Sequence, residues 1–194
     1  MLVLAPFSNP EATDSENSLM SEPVMKTDAG NLSGWLASAG GSSAERVQAM
    51  LSLPNGSMIV AGMFEQTIEF YGDVIGYSSN DSSFGIDFFV AWIDENGTWT
   101  ETLSASSSGL DGIDGMARLS DGTLVMAGTF CGMTKGDACN LTLAGLDPLN
   151  KSNDDDDNAV FLAAMSPTGG WMWATSFSNN YQMSVMDLLI TPND

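Results

Sequence analysis

The sequence predicts an all-β chain made of repeated antiparallel four-stranded units. Three observations predict it: an internal repeat, Asn-Gly and Asp-Gly dipeptides at the joints, and strands that are apolar on both sides. Residues 53–64 align with residues 119–130 at an offset of 66, and five of the twelve positions are identical. Residues 88–99 align with residues 160–171 at an offset of 72, which continues without a gap to the end of the chain. The offsets differ because residues 131–139 hold an insertion that the first copy lacks. Self-similarity at a fixed period marks a repeat architecture.

Each unit supplies four strand candidates in the same order. The first spans residues 47–53 or 113–119, and the second spans 57–64 or 123–130. The third spans 88–93 or 160–165, and the fourth spans 99–105 or 171–177. Asn55-Gly56, Asn96-Gly97 and Asp121-Gly122 separate them. Such dipeptides accept positive φ at low cost, which predicts two-residue hairpins. No long stretch keeps a 3.6-residue apolar period, so helices are not expected.

The second and third strands do not alternate between apolar and polar residues. Met58 to Ala61 and Phe88 to Ile93 are apolar throughout. A sheet that is apolar on both faces needs cover on both faces. Antiparallel units stacked face to face satisfy this, as the small four-stranded blades of a β-propeller do. The fold class expected is therefore all-β and β-propeller-like, with antiparallel four-stranded blades of 66–72 residues. Residues 45–105 and 110–177 form two complete blades, residues 35–41 a leading strand, and residues 183–191 a trailing strand. Two blades cannot close a ring, so the chain reads as a fragment of an incomplete ring with adhesive outer faces.

The residues also resemble a known family. The string runs from a strand ending in Asn-Gly or Asp-Gly, through an aliphatic strand ending in Ala-Gly-x-Phe, to a Phe-Val-Ala strand and a Gly-x-Trp turn. It resembles the secreted β-propeller repeats of bacteria and archaea often called the seven-bladed propeller repeat. Asp87 to Ile93 and Gly169 to Ala174 are the nearest matches, and Ile68 to Gly72 resembles the short Phe-Gly segment between the second and third strands. The likeness covers residues 34–194. The chain departs from the pattern in using Met where Val or Ile is usual and Trp92 where Lys is common. The family's motifs are structural, and no catalytic residue travels with them. The resemblance implies a non-enzymatic secreted or cell-surface module that binds a protein or carbohydrate or acts as a structural spacer, together with the remaining blades of a longer chain. The alternative it implies is part of a secreted propeller hydrolase or lyase whose active site lies on other blades.

Composition narrows the functions. Among 194 residues there are 5 Lys+Arg, 25 Asp+Glu and no His, for a net charge of −20. That balance excludes nucleic acid as a partner, because phosphate neutralisation needs clustered cations. It equally opposes docking on an anionic membrane. Without His there is no Ser-His-Asp or Cys-His arrangement and no imidazole metal ligand.

Residues 1–33 read as a leader. Met1 to Phe7 is too short to span a membrane and is either the tail of a signal peptide or a disordered start. Residues 8–30 are rich in Ser, Glu, Asp, Asn and Pro, a disordered composition. The only cysteines, Cys131 and Cys139, flank a short insertion. A disulfide there would fit an oxidising compartment, and its alternative is two free thiols.

Asp154, Asp156 and Asn158 match the opening of a calcium loop, making calcium the one cofactor candidate. The match then fails, since Ala159 stands where Gly is needed and Met165 where Glu is needed. A solvated acidic loop is the other reading. Asp87, Asp111 and Asp114 are acid/base candidates, with strand-end capping as the alternative. Asn31, Asn55, Asn80, Asn96, Asn140 and Asn150 stand in Asn-x-Ser/Thr sequons, several of them at turn positions. Trp35, Trp92, Trp99, Trp171 and Trp173 are candidates for sugar stacking or for packing between units.

Overall fold

The computed structural model describes residues 2–4, 34–41, 43–70, 77–78, 85–134, 139–151, 158–179 and 181–191. These residues form no helix and fourteen strands. In chain order the strands are β1 (Leu2–Leu4), β2 (Leu36–Gly41), β3 (Glu45–Ser52), β4 (Met58–Glu65), β5 (Thr67–Phe70), β6 (Tyr77–Ser78) and β7 (Ile86–Ile93). They continue with β8 (Trp99–Ala105), β9 (Leu110–Arg118), β10 (Leu124–Gly132), β11 (Asn140–Leu141), β12 (Leu149–Asn150), β13 (Ala159–Met165) and β14 (Trp171–Phe177).

Two antiparallel meanders dominate. The first runs β3-β4-β7-β8 and the second β9-β10-β13-β14, each strand beside the next. A single parallel bridge, Ile86 to Leu110, joins them into one open sheet. A smaller sheet orders β1-β2-β5-β6, and β11 pairs with β12. None of these sheets closes on itself.

The two meanders share their irregularities. In β3, Val47 lies opposite Gly62 and Ala49 opposite Ala61, leaving Gln48 as the extra residue of a bulge. In β9, Ile113 lies opposite Gly128 and Gly115 opposite Ala127, leaving Asp114 in the same place. At the other edge, Ile93 lies opposite Trp99 and Trp92 opposite Glu101, and Met165 opposite Trp171 and Ala164 opposite Trp173. A bulge bends its strand and raises the local twist, so equal bulges give both meanders the same curvature. The glycine facing the inner bulge is set by space. A Cβ on Gly62 would collide with the Arg46 carbonyl and sit 2.9 Å from the Phe89 ring. On Gly128 it would collide with the Gly112 carbonyl and sit 2.8 Å from the Phe161 ring.

The turns differ from the two-residue hairpins expected. Leu53 N–H donates to Ser57 O at 2.8 Å and Gly56 N–H donates to Leu53 O at 3.0 Å. The same pair of bonds recurs at Leu119, Asp94 and Ser166. The third residue of each loop is a glycine with positive φ, 87° at Gly56, 93° at Gly122, 86° at Gly97 and 85° at Gly169, and in the last turn the following Gly170 is positive as well, at 89°. These are three-residue loops closed by a left-handed glycine. The residue before that glycine needs no positive φ, which is why Thr168 serves there as well as Asn55, Asn96 or Asp121.

Both faces of β4 and β7, the inner strands of the first meander, are buried, as two-sided apolar strands require. One face, with Ile59, Ala61, Phe88, Val90 and Trp92, meets Leu124, Met126, Phe130, Phe161 and Met165 of the second meander. The other, with Met58, Val60, Phe64, Phe89 and Ile93, is covered by Trp35, Ala37 and Ala39 and by Ile68 and Phe70 of β5. Strands β2 and β5 cover it with one face only. Ala37 and Ala39 alternate with Ser38 and Gly40, and Ile68 and Phe70 with Thr67 and Glu69.

Two flanking expectations change. The leading segment 35–41 supplies β2, but β2 pairs with β1 and β5 and does not lie at the edge of a four-stranded unit. Residues 2–4 of the expected leader form β1 in that small sheet, and residues 5–33 lie outside the described residues. The trailing segment, expected as a strand over 183–191, is not one. In both meanders the first strand gains its ladder from the second, and among the described residues no second strand lies beside 183–191.

Candidate functional site

The bridge between β7 and β9 places Asp87 and Asp111 one residue beyond Ile86 and Leu110, at the start of two neighbouring parallel strands. Each is 2% exposed. Asp111 Oδ1 accepts from Ser107 Oγ at 2.6 Å and from Cys131 N–H at 3.0 Å. Its second oxygen, Oδ2, is buried without a hydrogen-bond partner. Burial pushes the Asp111 carboxyl up to about 7; the bonds from Ser107 and Cys131 oppose that rise, and the charge of Asp87 adds to it. A carboxyl with that affinity for protons suits proton transfer in principle. Here it is sealed from solvent, so its chemistry is directed inward, holding the 106–109 connection against the strand that carries Cys131. Gly109 N–H donates to Ser107 Oγ at 3.1 Å and Thr142 N–H to Ser106 O at 3.0 Å, fixing the same connection.

Asp114 is not part of this pair. It is the bulge residue of β9, and it is exposed. Partial desolvation raises its pKa, and the nearby backbone amide of Val185 opposes the rise. The residue that shares its role is Gln48, which the sequence did not single out. Gln48 Oε1 accepts Ile113 N–H at 3.0 Å. Only its position one repeat before Asp114 marked it.

Cys131 and Cys139 form a disulfide with Cα atoms 5.8 Å apart, and both sulfurs belong to the apolar core. Closing so short a loop is worth about 2–3 kcal/mol. Lys151, also absent from the sequence reading, secures it. Its N–H donates to Cys139 O at 3.0 Å, and its buried ammonium donates to Thr134 O at 3.1 Å and Thr134 Oγ1 at 3.3 Å. A lysine 7% exposed needs such acceptors to replace the water its head group has lost.

Of the calcium candidates, Asp154 and Asp156 lie outside the described residues. Asn158 Nδ2 donates to Met183 O at 2.6 Å, tying the last segment of the chain to the start of β13. Among the described residues no three or more Cys, Asp or Glu side chains gather as a metal site.

The tryptophans divide. Trp35, Trp92 and Trp99 are buried, and Trp99 Nε1 donates to Ser38 O at 3.0 Å. Trp171 is half-buried, while Trp173 is 44% exposed. Two clefts border the second meander. One of about 290 Å³ lies between Pro54, Asn55, Arg118 and Pro167 at the turn end. The other, of about 230 Å³, lies between Ala117, Leu119 and Val125 on the sheet and Leu188 to Thr191 above it.

The chain matches no protein-family model, no curated protein and no solved structure. No described helix is long and apolar enough to cross a membrane.

Proposed function

We propose that the chain is a non-enzymatic β-propeller-type repeat module, secreted or displayed on a cell surface, that works by binding through an uncovered sheet face. One observation carries this reading. Seven of the nine exposed large apolar side chains among the described residues fall between positions 172 and 190. They include Trp173 at 44% and Phe177 at 52% on β14. Trp173 and Phe177 stand four residues apart on one strand and so share a face, and exposed aromatic side chains on a strongly acidic chain favour an interaction site there. The disulfide fits an oxidising compartment. The net charge of −20 keeps such a patch soluble while directing it away from polyanions.

The test compares the chain with its Trp173→Ser, Phe177→Ser double variant on a broad array of glycans and proteins. A ligand bound by the parent and weakened at least about tenfold in the variant, with the thermal midpoint unchanged, supports the reading. Silence of the parent across the array, or a ligand indifferent to both substitutions, would refute it.

A further inference from the structure

We propose that the cleft where the turn ends of the two meanders meet is a binding site for a small organic acid, one carboxylate on an apolar body, with Arg118 holding the carboxylate. The site uses neither Trp173 nor Phe177 and does not rest on the interaction reading above.

The first support is where the arginine stands. Arg118 is the last residue of β9 and lies opposite Leu124 of β10. Directly opposed residues of an antiparallel pair share a face, and Leu124 belongs to the core that the two meanders build together. Arg118 is therefore turned toward the joint. There it lines a cleft of about 290 Å³ with Leu53, Pro54, Ile59, Leu124 and Pro167. It is the one charged side chain among the described residues of that lining. The chain carries only 5 Lys+Arg against 25 Asp+Glu. Such a chain repels anions over most of its surface, so an anion is held only where a cation is set for it.

The second support comes from the repeat, which separates what a meander requires from what this cleft adds. At the offset of 66, Arg118 corresponds to Ser52 and Pro54 to Ser120. At the offset of 72, Pro167 corresponds to Glu95. The turns at these places close with the same backbone hydrogen bonds, so the fold needs neither the arginine nor the prolines. In each pair the residue that lines the cleft is the one that supplies the cation or an apolar wall.

The third support is what the polar groups are left to do. The charge of Arg118 reaches Asp121, but that residue is exposed and its Oδ1 accepts Thr123 N–H at 2.8 Å. An ion pair in open solvent is weak and leaves the guanidinium able to exchange partners. The guanidinium lies beside Gly122, where a Cβ would come within 3.2 Å of Nη2 and 3.1 Å of Pro167 Cγ. The missing Cβ leaves room between the arginine head and the proline ring. Asn55 adds a second donor. Ser57 Oγ and N–H donate to its Oδ1 at 2.6 and 3.2 Å, which leaves its Nδ2 for another acceptor. The planar fork of an arginine grips a carboxylate through two parallel bonds. A lone guanidinium on a chain of net charge −20 suits a monoanion better than a phosphate. The volume sits at the small end of ligand sites, which sets the body at a short alkyl chain or one ring.

The experiment titrates the full chain with hexanoate, with hexanol as the uncharged comparison, and follows backbone amide shifts by NMR. The expected result is saturable shifts at residues 53–57 and 118–124 with hexanoate, and affinity at least about tenfold weaker for hexanol. Arg118→Ser installs the residue that the first meander carries at this place. It should keep the thermal midpoint, weaken hexanoate at least about tenfold and leave hexanol unchanged. Pro167→Glu installs a competing carboxylate and should weaken hexanoate likewise; it decides the matter if Arg118→Ser fails to fold. The proposal is overturned if hexanoate gives no saturable shifts at these residues or if hexanol binds as tightly. It is also overturned if the folded variants bind hexanoate as the parent does.

Discussion

In the first meander the Phe89 ring lies 5.5 Å from Phe70, a residue of the small sheet. In the second, the equivalent Phe161 lies 5.4 Å from Phe88, a residue of the first meander. Phe64 and Phe89 are 6.4 Å apart, and so are Phe130 and Phe161. The same apolar face is thus built twice, and two unrelated neighbours each supply an aromatic ring to cover it. The faces turned the other way are not treated alike. Ile59, on the first, is 1% exposed beneath the second meander. Val125, its equivalent, is half-buried at the wall of a cleft roofed by Leu188 and Ile190. A repeat therefore fixes what a unit offers for packing, while burial depends on what lies beside it.

The largest effect should come from deleting side-chain bulk on those two faces. Ile59→Ala is expected to lose about 2–5 kcal/mol, because it opens a cavity in a sealed core. Val125→Ala should lose less than about 1 kcal/mol. Urea unfolding of both variants measures the contrast, and equal losses would mean that residues 185–191 seal the second meander as fully as the second seals the first.

A somewhat smaller effect separates the units by pH. Asp111 is raised from 3.8 to about 7 in the fold, so the folded chain holds a proton that the unfolded chain releases across that window. Stability should fall as pH rises from about 4 to about 7, by roughly 2–4 kcal/mol, and level off above it. Asp111→Asn keeps an oxygen for Ser107 and Cys131 and carries no charge, so thermal midpoints across this range should flatten. An unchanged slope in the variant would assign the dependence to other groups.

The smallest contrast lies in the turns. Gly56→Ala should cost about 1 kcal/mol from its positive φ alone, since the nearest atom to a new Cβ is 3.5 Å away. Gly97→Ala should cost more, because its Cβ would come within 2.8 Å of Trp35. Equal thermal shifts would show that Trp35 yields freely, and that the cover on the first meander is looser than its burial suggests.

The eight meander strands were legible because strand periodicity and turn glycines are local signals, each written twice. Residues 99–105 and 171–177 form strands with the bounds read from the sequence. The disulfide was legible for the same reason, as two cysteines flanking one insertion. The bulges were not. Gln48 and Asp114 look like any polar residues in alternating strands, and their extra position appears only when a partner strand is counted against them. Asp87 and Asp111 stand among three acid/base candidates in the sequence, but the pairing and enclosure of these two arise from a bridge between residues 86 and 110, beyond the reach of any local pattern. Residues 185–191 carry strand-like chemistry, yet a ladder takes two segments, and among the described residues none pairs with them.

Residues 183–191 are held by the Asn158 side chain at Met183 and by apolar contact at Leu188. Peeling them away ruptures no sheet, so each attachment can yield separately and at little mechanical load. The cover over the first meander has no such release. A pull on the last residues would lift that flap long before either meander felt the strain.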